Sequence, residues 1–125
     1  LAPFFLAGLA AVAIPVLIGC LKEKDLGVRA NTMNAVIANV IHFDTGSANA
    51  KLWNELSSEV IACLSDTNRG VRVNAMFTVM LLIQYKKLDP KYTNLQQALA
   101  PLANDPDPGV RSWVLAVQRS TGRNQ

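Results

Sequence analysis

The triplet Gly-Val-Arg occurs three times in this chain, as Gly27-Val28-Arg29, Gly70-Val71-Arg72 and Gly109-Val110-Arg111, at spacings of 43 and then 39 residues. A period of roughly 40 residues marks a stack of helical hairpins, in which no unit can bury its apolar face alone and neighbours bury it together. Nothing else in the sequence limits the fold as tightly. The period predicts an all-α chain whose activity resides in extended sidewalls rather than in a catalytic cleft.

The likeness extends on both sides of the triplet. Leu17-Ile18-Gly19-Cys20-Leu21-Lys22-Glu23 aligns with Val60-Ile61-Ala62-Cys63-Leu64-Ser65-Asp66 and, more loosely, with Leu99-Ala100-Pro101-Leu102-Ala103-Asn104-Asp105. Downstream, Val28-Arg29-Ala30-Asn31-Thr32-Met33 aligns with Val71-Arg72-Val73-Asn74-Ala75-Met76. Each repeat therefore reads as helix, tight turn, helix. Asp25, Asn68 and Asp107 share one position two residues before the glycine. A short polar side chain there accepts from the free N–H groups of the following helix. Pro108 stands at a first helical position, where its missing N–H costs nothing. Repeats over about 1–42, 48–87 and 90–122 follow, within a single domain spanning 1–125. The connections fall at Phe43–Asn49 and Leu88–Asn94, with helix starts at Ser47 and at Asp89-Pro90.

The apolar residues keep helical period through two repeats. Second helices carry Met33, Val36, Ile37 and Val40, then Met76, Val79, Met80 and Ile83; the third set, Leu115, Gln118, Arg119 and Gly122, breaks the stripe and predicts a polar end cap or early fraying. First helices carry Leu52, Trp53, Leu56, Val60, Cys63 and Leu64, matched by Leu9, Ala10, Ala13, Leu17, Cys20 and Leu21, with Leu95, Ala98, Leu99 and Leu102 in the third. Composition agrees: half of the 125 residues are hydrophobic but only 6% are aromatic, a mix that suits close helix packing better than a sheet.

The run Ile14-Pro15-Val16-Leu17, then Leu21-Lys22-Glu23-Lys24-Asp25, then Val28-Arg29 resembles a HEAT repeat of the bacterial HEAT-like type found in relatives of phycobilin lyases. The resemblance covers nearly all of the chain. It implies an α-solenoid, a right-handed superhelix of about three helical hairpins. It also implies a ladder in which turn acids bond the arginines of neighbouring repeats, a role that would fall to Glu23, Asp66 and Asp105 with Arg29, Arg72 and Arg111. The motif speaks for a fold and hardly at all for a function.

Residues 1–21 carry no charge, a length that matches the about 20 apolar residues a spanning helix needs. Leu17-Ile18-Gly19-Cys20 also resembles a bacterial lipobox, which would make Cys20 a lipid-bearing residue and the chain a membrane-anchored lipoprotein. Against this, no basic segment precedes the run, Pro3 and Pro15 interrupt it, and Val60-Ile61-Ala62-Cys63 repeats the same pattern internally. The favoured expectation is a buried repeat helix. Cys20 and Cys63 would then lie about one helix packing distance apart, on the order of 10 Å, beyond disulfide reach. Both are expected as buried free thiols in a reducing, cytoplasmic setting.

Candidate chemistry is sparse. The chain has one histidine, His42, which is read as a helix-end residue. Two cysteines a repeat apart do not make a metal set, and the glycines form no phosphate loop. No catalytic residue, metal or cofactor is expected, and a lyase-like chaperone for a chromophore is the least favoured alternative. Net charge is +3. Arg69, Arg72, Lys86, Lys87 and Lys91 face one acid, Asp89, so nucleic-acid binding along an Arg/Lys surface stands as an alternative. The favoured expectation is a scaffold binding a protein or peptide along a strip of the second helices. That strip runs through Asn31, Ala35, Ala38 and His42, then Asn74, Thr78, Leu81 and Tyr85, then Trp113, Val117 and Ser120. Asn31, Asn74, Leu81, Tyr85 and Trp113 are its binding residues, because large exposed apolar side chains anchor partners.

Overall fold

The computed structural model describes residues 2–42 and 50–120. Side chains of 2–10, 39–42 and 120 lie outside the description, and so do the expected connection at Phe43–Asn49, the helix start at Ser47, and Gly122. Among the described residues there are six α-helices and no strand: α1 (Ala2–Leu21), α2 (Leu26–His42), α3 (Ala50–Ala62), α4 (Arg69–Gln84), α5 (Thr93–Leu99) and α6 (Pro108–Ser120). Short 3-10 segments, Cys63–Ser65 and Ala100–Asn104, tighten the ends of α3 and α5.

The helices form two layers. In one, α1 packs on α3 and α3 on α5; in the other, α2 packs on α4 and α4 on α6. The layers join where α1 meets α2, α3 meets α4, and the 3-10 end of α5 meets α6. Between them lies one core, with Ile14, Met33, Leu56, Leu64, Met76, Leu82, Leu95 and Leu99 almost wholly withdrawn from water, and Trp53 as its largest member. Full burial of such side chains stabilises by about 1.5–3 kcal/mol each.

All three turns close alike. Glu23 N–H donates to Cys20 O at 3.2 Å, Asp66 N–H to Cys63 O at 3.1 Å and Asp105 N–H to Leu102 O at 3.1 Å. Buried hydroxyls on the helices are satisfied locally: Thr32, Ser57 and Thr78 each donate to the carbonyl four residues back, at 2.6, 2.7 and 2.7 Å.

Three expectations need correcting here. Pro15 does not interrupt α1, which runs through it; the lost N–H costs one helical bond on a solvent-facing side. The third first-helix does not start at Asp89-Pro90. Asp89 instead accepts from Lys91 N–H at 2.9 Å in a turn, and α5 begins at Thr93 with Tyr92 at its N-cap. Before that turn, Lys86 adopts φ 61° and ends α4, while Lys87 and Leu88 N–H both donate to Leu82 O. Finally, Cys20 is only half-buried, unlike Cys63. No described helix is long and apolar enough to cross a membrane.

Candidate functional site

Each residue of the recurring triplet has its own physical task. The cap side chains Asp25, Asn68 and Asp107 accept from the valine N–H at 3.0, 3.1 and 3.2 Å. They lean over the glycine to do so: a Cβ on Gly27, Gly70 or Gly109 would meet the cap oxygen at 3.1, 3.0 or 2.9 Å. A side chain at these positions would press on the cap oxygen, most closely at Gly109. Val71 and Val110 are buried between helix pairs.

The arginine joins one pair to the next. Arg29 Nε and Nη2 donate to the two carboxylate oxygens of Asp66 at 2.9 and 3.3 Å, and Arg72 Nε donates to Asp105 at 3.0 Å. Both ion pairs are largely buried. In each case Nη1 also grips the arginine's own turn: Arg29 bonds Glu23 O and Lys24 O, and Arg72 bonds Asp66 O and Thr67 O. Arg111 bonds Asp105 O and Pro106 O in the same way, at 2.7 and 3.3 Å. Oδ1 of Asp66 and of Asp105 also locks the turn by accepting from the N–H two residues on, at 2.9 Å in both. Glu23 is exposed.

A second bridge between α4 and the last turn was not expected from sequence. Arg69 Nε donates to Asp107, which at the same time caps α6. The Arg69 guanidinium holds the Asp107 carboxyl below its ordinary value; burial opposes this, and the N–H groups of Val110 and Gly109 reinforce it. Arg69 aligns with Leu26 and Pro108 in the other copies, so repeat alignment carried no signal for it. At the buried Cys63, desolvation pushes the thiol up to about 11, with Asp66 and Glu59 adding and Arg29 opposing. The thiol is therefore a neutral core group.

The expected binding strip is not an open surface. Thr78 and Val117 are fully buried, and Leu81, Tyr85 and Trp113 are half-buried against the core. α4 packs against α2, α3 and α6, which leaves its strip little open surface. Asn31 and Ala38 of α2 are exposed; Asn74 is half-buried. The side chain of His42 lies outside the description.

What the second helices do expose is the face carrying Gly70, Phe77 and Gln84, seven residues apart and all exposed. Phe77 remains 40% exposed and meets Trp113 of α6 edge-on, with ring centroids 6.0 Å apart at 69°. This aromatic pair spans two helix pairs. Elsewhere, Lys87 lies over the Trp53 ring at 5.2 Å. A cleft of about 240 Å³ lined by Asn54, Ser57, Ser58, Lys87, Leu88, Asp89 and Tyr92 opens beside it.

No protein-family model, curated protein or solved structure matches this chain.

Proposed function

We propose that the chain is a HEAT-like α-solenoid, a right-handed stack of three helical pairs, and that it acts as a scaffold or adaptor for a protein or peptide laid along its second helices. The anchor is the Phe77–Trp113 pair rather than the Leu81/Tyr85 flank. One observation carries this reading: a phenylalanine stands 40% exposed on the outward line of α4, against a half-buried tryptophan. Aromatic groups held partly exposed by a rigid scaffold are efficient binding anchors. The repeat of capped turns and ion pairs supports the stacked reading. The free cysteines favour a reducing compartment such as the cytoplasm.

The basic surface gives less support to nucleic-acid binding. Of its five cations, Arg69 and Arg72 are engaged by Asp107 and Asp105, and Lys87 sits over Trp53. The Phe77→Ala variant tests the protein-binding reading: recovery of specific partners from affinity capture falls at least tenfold while the helical circular dichroism stays at its wild-type value. Unchanged recovery of every partner sinks it.

A further inference from the structure

Arg69, Val73 and Phe77 follow one another along α4 at four-residue steps, a spacing that keeps them on one side of the helix. Both ends of that line reach toward the last helix pair: Arg69 to Asp107 and Phe77 to Trp113. At the first contact the acid is hidden and the base is not. The Asp107 side chain is 5% exposed, whereas the Arg69 side chain that bonds it through Nε is 74% exposed. A guanidinium carries five N–H donors in a rigid fork, so a carboxylate on Nε holds the group in place and leaves Nη donors for a ligand. No aspartate or glutamate occurs within α4 or α6. The line thus offers a positive charge, already oriented, at one end and a partly exposed aromatic pair at the other.

We infer that the partner laid along the second helices is an acidic peptide segment, its carboxylate held by Arg69 and an apolar side chain packed on the Phe77–Trp113 pair. The charge of this line selects an anion, and the rings select an apolar neighbour for it. Spacing sets the pattern further. Arg69 and Phe77 are eight residues apart in α4, or about 12 Å along the axis. An extended peptide, rising about 3.3 Å per residue, covers that distance in about three or four residues. The segment therefore carries its acid three or four residues from its apolar anchor. A phosphate backbone calls for a row of cations, and this line has one. The inference rests on the protein-binding reading above and adds to it the chemistry of the partner.

Selection on the immobilised full chain from a phage-displayed library of random twelve-residue peptides tests it. The wild type enriches peptides with an aspartate or glutamate three or four residues from a leucine, phenylalanine or tryptophan. In an enriched peptide, made with a fluorescent label and followed by anisotropy, exchanging the acid for its amide weakens binding about tenfold. The same exchange has no effect on binding to Arg69→Gln, because the two changes remove one interaction. If Arg69→Gln loses helical content, the Arg69 Nε–H signal in a nitrogen–proton spectrum of the wild type decides: it shifts on adding the acidic peptide and stays on adding the amide version. Enriched peptides that lack an acid, yet lose binding to Phe77→Ala, overturn this inference and leave the protein-binding reading standing. Acidic peptides that bind Arg69→Gln as tightly as the wild type overturn it too. No enrichment at all overturns both readings, and a labelled single-stranded oligonucleotide that then binds the wild type but not Arg69→Gln assigns the line to nucleic acid instead.

Discussion

Asp105 joins the preceding helix pair to its own turn through one carboxylate. One oxygen receives Arg72 from the preceding helix pair, the other receives Asp107 N–H, and the side chain itself is 4% exposed. Asp105→Ala leaves a largely buried guanidinium with only backbone partners. The expected cost is about 3 kcal/mol, because a broken buried ion pair leaves its remaining charge uncompensated. Urea unfolding would register it as a lower midpoint at unchanged slope. Asp107 gives a pH prediction. Its pKa is lower folded than unfolded, so it adds stability above the unfolded value, and that stability drains away as pH falls through the folded value. Arg69→Ala removes the main cause of the depression, and the acid-unfolding midpoint followed by circular dichroism moves to higher pH. The positions of Asp66, Asp105, Arg29 and Arg72 were legible in sequence because they recur. The Arg69–Asp107 bridge was not, because it occurs once. Nor was the role of glycine: a close approach between a cap oxygen and a missing Cβ is a distance, and spacing alone does not encode it.

At the scale of the helix, the caps were readable and the exposures were not. Asn68 accepts from Val71 N–H at 3.1 Å and starts α4 from an extended backbone. Asn68→Ala is expected to cost about 1 kcal/mol, the usual worth of an N-cap, and to lower the thermal midpoint by a few degrees. The 3.6-residue period placed Met33, Val36, Met76 and Val79 in the interior. It then treated the opposite strip as solvent-facing, as it would be on a helix with neighbours on one side only. α4 packs against α2, α3 and α6, and the buried Thr78 shows the consequence. Phe77 went unnoticed because its counterparts are Asn34 and Ala116; an aromatic group at a position otherwise small or polar was the available signal. The early start expected for α5 failed because Asp89 serves a turn of its own.

For the molecule as a whole, the layer contacts run between alternate helices: α2 touches α4, and α4 touches α6. Each joint is made from the same components, an arginine behind and an acid ahead. On the stacked arrangement proposed above, units of this kind can be added without changing the joints. Duplicating the 43 residues from 30 to 72 would pair Arg29 with the first Asp66, the first Arg72 with the second Asp66 and the second Arg72 with Asp105, so every arginine of the ladder that now has an acid keeps one. Because neighbouring units in such arrays contribute nearly additive interface energies, the lengthened protein is expected to melt at a higher temperature than the original, with calorimetry as the readout. The bond from Arg72 to Asp105 thus acts as a coupling of standard gauge: whatever carriage is inserted, the train still closes up.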